Sequence, residues 1–299
     1  MKINILIFLV LFMFMAIIGC SDKDKNNKPS LPTRGKLVIG VDESLRSFVD
    51  AEIRTFSIFY PDAYITPLYL PEKQVVEKLL ANEIQTGIIC RDLYEDETKF
   101  IKNKYQHVPA TFKLAEDAIV AVVNNTNLLN TISYDDINKI LSGKITDWGQ
   151  LDPALKNKSP IVVVITGSSS INRYFSSLNG ASSPISAYAL DTTTEVIDYV
   201  KNNVTAIGIL GGSLFYQKGG KDLEVKLLSY AKDNPETEDP NQGLRREVYT
   251  VTHEPFTGLG NGFINFLASQ KGQLIIEKAG MTPYKPITRE IVISRSYKK

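Results

Sequence analysis

IVVVITGSSSINRYF, residues 161–175, decides how this chain is read. A β-branched run stops at Gly167, Ser168, Ser169 and Ser170 follow, and an amphipathic segment then begins. The run Ile161-Val162-Val163-Val164-Ile165 suits a buried strand, and the Gly with its serines supplies a tight turn and a helix N-cap. The first N–H groups of a helix lack backbone partners and carry about half a unit of positive charge, so this arrangement is a seat for an oxyanion. The duller reading of the same residues is a cap and nothing more. On the first reading the chain is a receptor for a small anion, and the attracting element is bare amide hydrogen at helix mouths.

Outward from that loop, strand-like and helix-like periods alternate. Upstream, strands are expected at 36–42, 63–70, 86–90 and 117–124, with helices at 45–60 and 71–82, Pro71 starting the second. Ser133-Tyr134-Asp135-Asp136 reads as a cap with acids in the first turn of a helix that closes at Gly143. Downstream, a helix is expected at 193–202, strands at 206–210, 223–230 and 247–252, one long helix at 258–280 and a last strand at 287–293. Residues 231–243 are polar and Pro-containing, hence a surface loop. The succession of βα units implies a mostly parallel sheet covered by helices. The late elements return to the first domain, giving one domain of 36–123 plus 253–299 and another of 124–252, with crossings near Asn124 and Thr252. Two lobes joined by two strands can close over a ligand by a hinge.

The start of the chain says where such a receptor works. Lys2 gives a positive n-region, 5–18 is apolar, and Ile17-Ile18-Gly19-Cys20 puts small residues at a cleavage point. The apolar run is short beside the roughly 20 residues of a membrane span. It looks like a bacterial lipoprotein signal: residues 1–19 are removed, and Cys20 becomes the lipidated first residue, anchoring the protein to a membrane in the periplasm or at the cell surface. Residues 20–35 are polar, with two prolines, and read as a tether.

Composition narrows the function further. The 299 residues carry 34 basic and 33 acidic side chains, a balance that argues against nucleic acid as partner. The length accommodates about two domains. With two cysteines, of which one is Cys20, no intramolecular disulfide is available to the mature chain. His107 and His253 have no metal-ligand spacing, and Thr166-Gly167-Ser168-Ser169-Ser170 is not a nucleophile elbow. The residues therefore indicate a binding protein, not an enzyme, with no metal. Arg173, one turn into the helix after the serines, can reach an anion or face solvent.

Four motifs now act together. The run Ile140-Leu141-Ser142-Gly143-Lys144-Ile145-Thr146-Asp147-Trp148, the Gly167 to Ser170 loop, Ala206-Ile207-Gly208, and Phe263-Ile264-x-Phe266-Leu267-x-Ser269-x-x-Gly272-Gln273 resemble the phosphate-binding proteins of bacterial phosphate ABC transporters over residues 36–285. The resemblance implies a two-lobed type II periplasmic binding protein, two α/β domains joined by two hinge strands. It implies phosphate held between the lobes, no cofactor or metal, a monomer, and ABC permease subunits as partners. A sensor or surface lipoprotein of the same fold is the alternative, and a hydrolase a more distant one.

Site residues transfer only where positions match. Ser44, in Asp42-Glu43-Ser44 after the first strand, takes the place of the family's first hydroxyl, with Glu43 beside it. Gly167, Ser168, Ser169 and Ser170 replace its Gly-Ser-Gly-Thr loop. The family's Arg before that loop falls here in an apolar run, and its Ser-Asp pair after the third strand becomes Cys90-Arg91-Asp92. Arg91 or Asp92 takes the position of the carboxylate that accepts the phosphate proton. Arg91 pointing inward would relocate the positive charge. Turned outward, it would pair with Glu95.

Overall fold

The computed structural model describes residues 31–153, 155, 160–167, 169–178, 186–217, 223–230, 244–254 and 257–285. The leader, Cys20, most of the tether, Ser168, the 231–243 loop and the strand expected at 287–293 lie outside the described residues. The first part of the chain runs β1 (Gly35–Asp42), a 3-10 turn (Glu43–Leu45), α1 (Arg46–Phe59), β2 (Ala63–Leu70), α2 (Glu72–Ala81), β3 (Thr86–Ile89), α3 (Glu95–Tyr105) and β4 (Ala110–Asn124). The second runs β5 (Thr131–Ile132), α4 (Tyr134–Leu141), β6 (Val162–Thr166), α5 (Ser169–Leu178), β7 (Tyr188–Leu190), α6 (Thr193–Asn202), β8 (Ala206–Gly211), α7 (Gly212–Gln217), β9 (Val225–Leu227) and β10 (Ser229–Tyr230). Then β11 (Arg245–Thr252) leads to α8 (Leu259–Leu267), α9 (Gln270–Lys278) and β12 (Thr282–Pro283).

Local chemistry sets many of these boundaries. Ser133 Oγ accepts the N–H of Asp136 at 3.1 Å to start α4, and Gly143 takes the left-handed conformation after its end, with φ of 72°. The long helix expected at 258–280 is two helices. Ser269 caps the second, taking the Gly272 N–H at 3.4 Å, so the apolar period continues while the axis breaks. The sequence pattern does not announce helix α3. It is charged, and Ile101 is its one buried residue, so it carries almost no apolar period.

The main sheet runs β2-β1-β3-β11-β4-β8-β6-β7. β1 is parallel to β2 and β3, and β6 is parallel to β7 and β8. Between these blocks β11 is antiparallel to β3 and β4, and β4 is antiparallel to β8. The mostly parallel sheet is therefore two parallel blocks with an antiparallel pair in the middle, where the chain passes from one lobe to the other and back. β4 pairs with β11 through Ala118 and with β8 from Ile119 onward. At that exchange the Ile119 N–H donates to the Leu244 carbonyl at 2.7 Å.

Each lobe has its own apolar interior. In one, Ile39, Val41, Phe48, Phe56 and Phe263 pack together, with Phe56 edge-on to Phe263 and Phe266, both at 5.3 Å between ring centres. In the other, Ile119, Val123, Ile165, Phe175 and Ile207 form the core, beside Trp148, whose Nε1–H donates to the Thr205 carbonyl at 3.1 Å. No helix among the described residues is long and apolar enough to cross a membrane.

Candidate functional site

Parallel blocks bring strand C-termini and helix N-termini to one edge, the place where open α/β sheets bind ligands. Here β1 ends at Asp42, β3 leads into Cys90, β6 into Gly167, and β8 ends at Gly211. The two edges meet: α1 packs against α7 and α2 against α5, each contact joining one lobe to the other.

At the centre of this junction lies a charge pair built into the connecting strands. Arg246 on β11 stands opposite Asp117 on β4 in the ladder, and both are buried. Arg246 Nε and Nη2 donate to Asp117 Oδ2 at 3.2 and 2.7 Å, and its Nη1 donates to Ser170 Oγ, in the first turn of α5, at 2.7 Å. Gly211 makes room for the pair. A Cβ there would lie 2.8 Å from Asp117 Oδ2 and overlap the guanidinium. Burial pushes the Asp117 carboxyl up, and the guanidinium bonded to it pulls it back down. For Arg246 burial acts downward, but the Asp117 and Asp42 carboxylates outweigh it and keep the side chain charged. Nearby strand and helix ends contribute two buried hydroxyls, Thr166 Oγ1 and Ser213 Oγ, that have no hydrogen-bond partner among the described residues.

A second charge pair spans the lobes. Glu72, the first residue of α2, accepts the Cys90 N–H on Oε2 at 2.8 Å. From the other lobe, Arg173 Nε donates to Glu72 Oε1 at 2.8 Å, and its Nη2 donates to the Cys90 carbonyl at 2.7 Å. Beside it, Glu43 Oε2 accepts the Thr193 N–H at 3.3 Å and the Thr193 hydroxyl at 3.1 Å, again across the junction. Burial pushes the Glu43 carboxyl up against the opposing pull of those bonds.

The structure brings some of the sequence-derived residues together and leaves others apart. Ser44 is buried, its hydroxyl and N–H donating to Asp42 Oδ1 at 2.5 and 3.0 Å. Glu43, Cys90, Ser170 and Arg173 all meet at the junction. Ser169 opens α5, and the Gly167 N–H donates to the Leu190 carbonyl at 2.6 Å. Arg91 is held at the start of α3, where Nη1 and Nη2 each donate to Glu97 at 2.7 Å and its guanidinium lies 3.9 Å over the Tyr94 ring. Its partner is thus Glu97 and not Glu95, because Glu97 is the capping residue of the unforeseen helix. It also approaches Glu72, with Nε 3.7 Å from Oε1. Asp92 is exposed and accepts the Leu93 N–H at 2.7 Å.

Four amide hydrogens at the junction are not bare: Asp42 takes that of Ser44, Glu72 that of Cys90, Glu43 that of Thr193 and Asp117 that of Ser213, the last at 3.1 Å. Positive charge comes from guanidinium groups instead. Arg246, Asp117, Glu72 and Asp42, all buried at the junction, are not among the candidates the sequence pattern singles out. Arg246 sits in Leu244-Arg245-Arg246-Glu247, which looks like a solvated charge run, although Asp117, directly before the apolar run 118–123, is a usable signal.

Asp42, Glu72 and Cys90 have ligand atoms within 4.8 Å of one another. Their chemistry does not suit a cation. Glu72 is bonded to Arg173, Arg246 acts on Cys90, and burial pushes the Cys90 thiol far above its ordinary range, so it stays protonated.

Comparison with known proteins agrees with this architecture. Residues 26–271 match the model of the PBP superfamily domain, so the chain belongs to the PBP superfamily. The phosphate-binding protein PstS of Staphylococcus haemolyticus is 23% identical over 240 residues, covering 75% of this chain and 73% of that protein. Among solved structures, a putative phosphate ABC transporter substrate-binding protein with bound phosphate from Clostridium perfringens superposes with a TM-score of 0.70 at 23% identity, covering 84% of this chain and 100% of that one. An ABC-type phosphate transport receptor from Vibrio cholerae gives 0.61 at 22% identity, with coverage of 82% and 99%.

Proposed function

We propose that this chain is a lipid-anchored extracytoplasmic solute-binding protein that captures inorganic phosphate between its lobes and delivers it to the permease of an ABC importer. The observation that carries the reading is the buried Arg246, whose Nη1 donates to Ser170 at the mouth of α5 while Nε and Nη2 are fixed on Asp117. A guanidinium held this way recognises an oxyanion through paired donors. The buried Thr166 and Ser213 hydroxyls support it, because an unsatisfied hydroxyl costs about 1–3 kcal/mol and gains a partner when an oxyanion arrives.

Selectivity follows from the carboxylates. Asp42 lies buried at the end of β1 with Ser44 bonded to it, and gives the seat an acceptor. Phosphate near neutral pH brings a proton to such an acceptor, whereas sulfate brings none and meets like charge. Asp42 takes over the part that Asp92, facing solvent, does not play. The lobes divide where β4 changes partner, between Ala118 and Ile119, and again just before Arg245. The protein works as a monomer that binds and releases, without bond chemistry, and Cys20 and the tether hold it at the membrane.

Calorimetric titration of the full chain, stripped of ligand, tests this. The expected result is micromolar or tighter phosphate binding, about 8 kcal/mol or more, with sulfate at least tenfold weaker. A folded, stripped protein that takes up no phosphate overturns the reading.

A further inference from the structure

Glu72 has the surroundings of a bound anion. Its carboxylate is almost wholly buried and accepts a main-chain N–H from Cys90 at 2.8 Å. It receives Arg173 through Nε at 2.8 Å and Nη2 at 3.4 Å, and Arg91 Nε stands 3.7 Å away. An amide hydrogen and two guanidinium groups are the donor set a protein offers an oxyanion. The side chain is also placed at the positive end of its own helix, where Pro71 supplies no side-chain cap. Its partners come from both lobes: Cys90 follows β3 in its own lobe, while Arg173 belongs to α5 in the other.

We propose that Glu72 is a resident stand-in for the oxyanion, a carboxylate that clasps Arg173 across the junction and has to release it before a ligand is held there. The inference rests on the oxyanion reading above and adds to it a competitor that the chain itself supplies. A dissolved oxyanion must take Arg173 from a carboxylate that is covalently present and therefore always at high local concentration. Like charge between Glu72 and the incoming anion adds to the barrier. Glu72 thereby sets the concentration at which the receptor fills and closes the lobes on itself when phosphate is scarce.

The Glu43–Thr193 contact gives an independent reporter. The Thr193 N–H is the first of α6, has no partner within that helix, and is covered by Glu43 from the opposite lobe. Its hydrogen exchange therefore follows separation of the lobes and not the local packing of Glu72. In the full chain without phosphate, Glu72→Gln should speed exchange at Thr193 at least tenfold and should tighten phosphate binding about tenfold. Arg173→Gln, which leaves the Glu72 bond to Cys90 in place, should speed Thr193 exchange equally while weakening phosphate binding. Unchanged Thr193 exchange in both variants overturns the inference, and so does weaker phosphate binding by Glu72→Gln with the fold intact. If no variant takes phosphate but Thr193 exchange accelerates, the phosphate reading fails and the clasp stands.

Discussion

The two ion pairs at the lobe junction differ in what an opening motion does to them. Arg246 and Asp117 are ladder partners on adjacent strands, so separating the lobes leaves their bond in place. Arg173 and Glu72 belong to different lobes, and the same motion breaks them apart. The first pair is therefore part of the scaffold and presents a fixed guanidinium edge. The second is part of the mechanism, an attraction that exists only when the lobes are together. Similar chemistry, an Arg on a buried carboxylate, serves two purposes because topology decides which strands or helices carry the partners.

The largest expected effect is on the fixed pair. Arg246→Met leaves Asp117 buried without its cation, a change that costs about 3–5 kcal/mol of stability, and it should abolish measurable phosphate binding. Urea denaturation and calorimetry check both. Full stability in that variant would mean that Asp117 is neutral or solvated, and the scaffold role would fall. The double variant Arg246→Met with Asp117→Asn should recover much of the stability and none of the binding.

A pH profile sharpens the comparison once a background is removed. Glu52, on the helix that packs across the junction against α7, is buried with neither carboxylate oxygen partnered among the described residues, and burial pushes its carboxyl up to about 9. An acid raised in the folded state binds more protons there than in the unfolded chain. Stability from this group is accordingly highest at or below the ordinary glutamate value and falls as pH rises toward about 9, with a slope of at most about 1.4 kcal/mol per pH unit. Glu52→Gln should flatten that decline between mildly acidic and alkaline pH, measured as urea midpoints. A variant profile parallel to that of the unaltered protein would show that Glu52 is charged and solvated.

The smallest effect is expected at Arg91. Its side chain is committed to Glu97 and Tyr94, at the edge of the junction, so Arg91→Ala should change phosphate affinity by less than threefold and stability by about 0.5–1 kcal/mol. A loss of affinity as large as that of Arg246→Met would move the essential cation to the cleft edge and erase the distinction between the two pairs.

What could be read from the sequence followed from strong local signals. The β-branched run before Gly167, the Ser133 cap and the 193–202 period all became the elements their chemistry requires, and four scattered motifs pointed to a two-lobed receptor. What could not be read depended on pairing across distance. Arg246 became the central cation only because β11 places it opposite Asp117, a register that no local pattern encodes. Glu72 looked like an ordinary acid in a first helical turn, and only the folded chain brings Arg173 to it. Arg91 was misleading for a local reason. The helix that captures it through Glu97 has too few buried side chains to announce itself.

The most direct test of the central claim, that a tetrahedral oxyanion is held on the fixed guanidinium edge, is a crystal structure of the protein with arsenate, located by the anomalous scattering of arsenic. The account predicts one strong arsenic peak with oxygens in hydrogen-bond reach of Arg246 Nη1 and Ser170 Oγ, and with Arg173 turned from Glu72 toward the anion. An arsenic site elsewhere on the protein, with Arg246 still bonded to Ser170 and Arg173 to Glu72, would contradict it.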